Sequence, residues 1–140
     1  MDRTQDLSER LQRALEPRPE VLEAYLFGSQ ARGDAVAHSD VDIAVYVDET
    51  KLPEAPFGYD AHLISELMGA LGSNAVDVVV LNHAPPLLYH RILRDGVRLV
   101  AKNLRATTTR EGQALSRYCD DAPRRARVDA VLFGPGERSS

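Results

Sequence analysis

Asp40 and Asp42 stand two residues apart in Ser39-Asp40-Val41-Asp42-Ile43-Ala44-Val45-Tyr46-Val47. The β-branched content of this segment predicts a strand, so both carboxylates project from one face. Two ionised carboxylates side by side repel. A site that keeps them together supplies a cation, and all-oxygen donors point to a hard one such as Mg²⁺. Upstream, and separated from Asp40 by ten residues, Gly28-Ser29 closes the apolar run Leu22-Glu23-Ala24-Tyr25-Leu26-Phe27. It leads into Gln30-Ala31-Arg32-Gly33-Asp34, which reads as a strand turning sharply into a short helix. The missing Cβ of Gly28, the N–H groups where the helix starts and the Ser29 hydroxyl form a cradle for phosphate oxygens. Phosphate on one side and metal-binding acids on the other suggest a nucleoside triphosphate held by its tail.

Phe27-Gly28-Ser29-Gln30-Ala31-Arg32-Gly33 followed by Ser39-Asp40-Val41-Asp42 resembles the signature of the DNA polymerase β-like nucleotidyltransferase superfamily, in particular its minimal nucleotidyltransferases. That family places a third carboxylate on a neighbouring strand. Here Asn74-Ala75-Val76-Asp77-Val78-Val79-Val80-Leu81 carries a single acid. Most of this run is continuously apolar, which predicts a strand buried on both faces, where an unpaired ionised Asp would be costly unless a metal or donor balanced it. The resemblance makes Asp77 the third metal ligand or the base. Arg32 has two readings, neutralising triphosphate charge or pairing with Asp34 on the surface.

The chemistry implied by the resemblance is nucleotidyl transfer with ATP as donor and Mg²⁺ ions flanking the α-phosphate. Asp40, Asp42 and Asp77 would hold the metal, and Gly28 and Ser29 would orient the phosphates. Many short members of the family act as antitoxins of a small helical HEPN protein, transferring AMP from ATP onto one of its tyrosines. The resemblance therefore implies such a toxin as partner. Two other functions stand beside this one. One is a nucleotidyltransferase modifying a small-molecule hydroxyl, such as that of an aminoglycoside, against which the lack of acceptor-binding bulk weighs. The other is a non-catalytic binder, against which three converging acids weigh.

The elements that must position these residues follow from the pattern of apolar residues. Leu7, Leu11, Ala14 and Leu15 make a helical stripe that Pro17 ends. After the two nucleotide-side strands, Lys51 to Pro56 reads as a loop. Tyr59 to Leu71 reads as a helix stopped by Gly72, with Leu63, Ile64, Leu67, Met68 and Leu71 toward the sheet. Pro85-Pro86 opens a helix that breaks near Asp95-Gly96, Val97 to Val100 reads as a short edge strand, and Thr107 to Asp121 as a further helix before Pro123. The fold class is α/β or α+β, a mixed sheet covered by helices on one side. The resemblance implies a nucleotidyltransferase core over residues 1–104 and a C-terminal helical tail over residues 105–140, expected to pack back on the sheet in part and to bind a partner.

With 140 residues and 44% hydrophobic content, the chain can bury one core. It has no apolar stretch long enough to span a membrane and no signal-like start. Cys119 is the single cysteine, which excludes an internal disulfide, fits a reducing cytoplasm and reads as a helix-packing residue. His38, His62, His83 and His90 lack the spacing of a zinc site, and His38 reads as a solvated loop residue. The net charge of −4 argues against a long nucleic-acid partner, with Arg124-Arg125-Ala126-Arg127 as the one local exception.

Overall fold

A computed structural model describes residues 3–28, 31 and 40–120. Ser29, Arg32, His38 and the Arg124–Arg127 cluster lie outside the described residues. The element order is α1 (Arg3–Leu15), β1 (Val21–Phe27), β2 (Val41–Val47), α2 (Tyr59–Leu71), β3 (Val76–Val80), α3 (Pro86–Asp95), β4 (Val97–Ala101) and α4 (Leu104–Asp120).

The helices begin and end where local chemistry dictates. Gly72 takes the left-handed conformation at φ 65° that closes α2, and its N–H donates to the Met68 carbonyl at 2.9 Å. Pro86 opens α3 at a position where a helix needs no N–H donor. Asp48 accepts from the Thr50 N–H and hydroxyl at a turn of 3₁₀ helix over Glu49–Lys51, so Lys51, the first residue of the predicted loop, ends this turn and the irregular stretch begins at Leu52. Among the described residues no helix is long and apolar enough to cross a membrane.

The sheet is four-stranded in the order β3-β2-β1-β4; β1 runs antiparallel to both β2 and β4, and β2 and β3 are parallel. Alternation along the strands gives each face its own core. Ala24, Leu26, Val41, Ile43, Val45 and Val78 pack with Leu11 and Leu15 of α1 and Leu63 and Leu67 of α2. Tyr25 and Ala44 pack with Leu81, with Tyr89 and Ile92 of α3 and with Ala114 of α4. Helices therefore cover both faces. This corrects the expectation of a one-sided layer: β1 and β2 carry apolar residues at odd and even positions alike, a pattern that demands burial on each side.

Two further expectations change. β3 pairs only with β2 and is an edge strand, and its residues other than Val78 are half-buried or exposed, so it is not buried on both faces. A run of valines satisfies an edge covered by one helix as well as it satisfies a central strand, and the sequence pattern does not separate the two. Cys119 is exposed on the outer side of the last turn of α4 and makes no core packing.

The last helix begins at Leu104, three residues before the predicted start, and it docks on the sheet through polar groups. Glu23, in the middle of β1, is fully buried. Arg110 donates to Glu23 Oε1 from Nε at 2.9 Å and from Nη2 at 2.6 Å, and the Thr107 hydroxyl donates to the same oxygen at 2.9 Å. Beside it the Tyr25 hydroxyl donates to Glu111 at 2.8 Å, and Arg98 of β4 holds both oxygens of Glu111. Burial, first, and these carboxylates hold the Tyr25 phenol well above its ordinary pKa, so it stays a donor. Thr107, Arg110, Glu111 and Ala114 share one helix face at spacings of three and four. Residues 104–120 are in this way part of the packing of the sheet.

Candidate active site

The turn after β1, the start of β2 and the start of β3 lie at one end of the sheet. In the antiparallel pair Phe27 faces Asp42, and in the parallel pair Asp42 faces Asp77 and Val41 faces Val76. Asp42 and Asp77 are therefore neighbours on adjacent strands, on the face that also carries Phe27 and Tyr25. Asp40 sits immediately before β2, exposed, two residues up the chain from Asp42. Parallel pairing needs the long crossover through α2, and it brings together two acids 35 positions apart in the chain.

Asp77 is exposed, and its Oδ1 accepts from the Val78 N–H at 3.0 Å. Its carboxylate is not desolvated, contrary to the expectation from sequence, because the edge strand leaves it in contact with solvent. Among the described residues no group of three or more His, Cys, Asp or Glu side chains is gathered into a formed metal cluster. What the fold assembles is the pair Asp42 and Asp77 in register with Asp40 beside them. An all-carboxylate set fits a hard divalent cation, which draws in carboxylates and keeps water as its remaining ligands.

Gly28 has a structural role beside the one read in the sequence. It adopts φ 76°, which side-chain-bearing residues rarely take, and a Cβ built on it would collide with the Oδ2 of Asp42 and stand 3.3 Å from its Cγ. The absent side chain makes room for a carboxylate of the protein itself. Gly28→Ala is accordingly expected to lose about 1–3 kcal/mol of stability from backbone strain and to push Asp42 aside. A urea melt and a transfer assay on the variant check this; wild-type values in both would reduce Gly28 to an ordinary turn. Ser29 and Arg32, expected at the phosphates, lie outside the described residues. Ala31, within the same turn, is helical and packs against the core shared with α1 and α2.

The residues missed in the sequence are Glu23, Arg110, Thr107, Tyr25 and Glu111. A signal for them existed: Glu23 is the only charged residue inside the apolar run that forms β1, and a buried strand charge requires a partner. The sequence offers no way to know that the partner lies 87 residues on.

Residues 9–105 match the model of the family described as Polymerase beta, Nucleotidyltransferase. The protein adenylyltransferase MntA of Aphanizomenon flos-aquae is 38% identical over an alignment of 78 residues, with 51% of this chain and 51% of that one covered. The match thus spans about half the length of that curated relative. Among solved structures, a chain of a toxin–antitoxin complex crystallised with AMP-PNP superposes with a TM-score of 0.72 at 27% identity, over 89% of this chain and 98% of that one. A chain of the complex between a tri-AMPylated HEPN toxin of Shewanella oneidensis and its MNT antitoxin superposes with a TM-score of 0.68 at 25% identity, over 92% and 98%.

Proposed function

Because the chain belongs to the Polymerase beta nucleotidyltransferase family, we propose that it is a cytoplasmic, metal-dependent adenylyltransferase antitoxin that moves AMP from ATP onto a tyrosine hydroxyl of a HEPN-type toxin. The observation that carries this reading is the register that sets Asp42 against Asp77, with Gly28 leaving space for the Asp42 carboxylate. Similarity to an adenylyltransferase and to chains of toxin–antitoxin complexes with AMP-PNP or an AMPylated toxin supports an ATP donor and a toxin acceptor.

In this reading Asp40, Asp42 and Asp77 would hold Mg²⁺, which when bound offsets triphosphate charge and lowers the pKa of the acceptor hydroxyl. The chain's own residues orient and receive. Gly28 and Ser29 hold the phosphate tail by backbone N–H groups and a hydroxyl, and Arg32 adds charge there. The acceptor oxygen bonds to the α-phosphorus as the bond from that phosphorus to the bridging oxygen breaks, and pyrophosphate leaves. The acceptor proton passes to the solvent-facing carboxylate of Asp77 or through it to water. Holding donor and acceptor in line accounts for several kcal/mol of such a barrier, and a partner protein that docks its own tyrosine meets that requirement without a second lobe.

The test is co-expression of the full chain with the product of the adjacent gene, expected to be a HEPN-type protein, followed by intact mass measurement. The partner is expected to gain one or more AMP masses with the wild-type chain and none with Asp42→Asn. An unmodified partner beside an enzyme that labels an aminoglycoside would replace this reading with the small-molecule one.

A further inference from the structure

The overall charge of −4 conceals a division along the chain. Residues 1–85 carry fifteen Asp and Glu against six Lys and Arg, whereas residues 86–120 carry seven Lys and Arg against three Asp and Glu. Those 35 residues are α3, β4 and α4: the two helices cover the sheet face opposite α1 and α2, and the edge strand β4 turns Arg98 toward α4 while its Leu99 and Val100 pack with the α1–α2 core. Arg91, Arg94, Arg98, Arg105 and Arg117 are exposed. Among the described residues no carboxylate pairs with Arg91, Arg105 or Arg117, and Arg94 pairs only with its exposed neighbour Asp95. A pair of that kind is worth little and exchanges readily for another carboxylate.

The same elements hold a cleft of about 590 Å³. Leu93 of α3 and Leu115 of α4 line it with Gly112, and Arg94 and Arg98 stand in its wall. Leu115 is half exposed, at 50%. An apolar recess bordered by arginines is the composition of a protein–protein contact, in which a central apolar side chain is buried and the rim is charged. Single-stranded nucleic acid asks for aromatic faces on which bases stack. Here Tyr89 is buried and Tyr118 is stacked on His90 at 3.8 Å, and the wall includes the Glu111 carboxylate.

We propose that the face formed by α3, α4 and Arg98 of β4 is a docking surface for an acidic protein partner, which seats an apolar side chain between Leu93 and Leu115 and sets carboxylates against Arg91 and Arg94. The proposal rests on the reading of the chain as one that transfers to a protein, and it names the surface and the charge of that protein. Opposite charge speeds encounter and holds orientation, which is what delivery of a hydroxyl to Asp42 and Asp77 on the same sheet face requires.

The test uses the full chain and the co-expressed HEPN-type protein, with affinity measured at 50 and 300 mM NaCl on the scale where exposed charges are screened. Arg91→Glu/Arg94→Glu is expected to weaken the complex at least about tenfold at low salt. Arg91→Gln/Arg94→Gln is expected to weaken it less, and wild-type affinity to fall with salt while both variants respond less. Transfer by the Glu variant should slow at limiting partner and recover at saturating partner, with an unchanged melting temperature. Wild-type affinity in both variants would overturn the surface while leaving the proposed transfer intact. Binding of a 20-nucleotide single-stranded RNA that depends on Arg91 and Arg94 would overturn it in favour of nucleic acid. Absence of any complex with the wild-type chain would overturn the transfer reading and this surface with it.

Discussion

Asp42→Asn is expected to lower nucleotide transfer by at least about a thousandfold, ~4 kcal/mol of barrier, while the metal-free protein melts at the wild-type temperature or slightly above it. Asp42 sits between Phe27 on one strand and Asp77 on the other, so its carboxylate is the member of the set common to both strand pairs. Neutralising one of two neighbouring carboxylates relieves repulsion when no cation is bound and removes a ligand when one is. Transfer from radiolabelled ATP, paired with melts in a chelator, measures both halves. Undiminished transfer would remove Asp42 from the site, and a collapse of stability would make it a structural residue.

Arg110→Met is expected to cost about 3–5 kcal/mol of stability, because it leaves Glu23 buried with a charge that Thr107 and Tyr25 alone must satisfy. For a chain of this size that lowers the melting temperature by roughly 10 °C or more. The double variant Glu23→Leu/Arg110→Met is expected to lose far less than the sum of the single changes, since removing both charges leaves none uncompensated. Thermal and urea unfolding of the three variants close the cycle. A loss under about 1 kcal/mol in Arg110→Met would show that the 2.6 Å contact seen here does not persist in solution.

The parts of the fold legible in the sequence were those set by local chemistry. The α2 helix runs from Tyr59 to Leu71 as its apolar spacing and Gly72 predict, and α3 starts at Pro86 and ends at Asp95 as its flanking proline and glycine predict. The acids were legible for a related reason: Asp40 and Asp42 are separated by a fixed spacing from a glycine, and Asp77 is alone in its strand. What escaped was set by contacts between distant residues. That β3 lies at an edge depends on where β4 pairs, and β4 pairs with β1 on the far side. That α4 docks through Thr107, Arg110 and Glu111 depends on a glutamate in β1. Gly28 was legible as a position without room for a side chain, but that the crowding atom belongs to Asp42 was not, because it comes from the next strand.

The parallel pairing of β2 with β3 has a consequence for how the active chain comes into being. Side chains alternate along a strand, so a slip of one residue in this pairing would send Asp77 to the opposite face and set Val76 or Val78 beside Asp42. The pairing is also non-local, and closing it carries the loop-closure entropy of the whole connecting segment, which makes such contacts slow to form. Chains that are collapsed and helical but misregistered would pass most measures of foldedness while having no competent site. Catalytic turnover per molecule thus reads out strand register during refolding, at a stage where circular dichroism is already native-like.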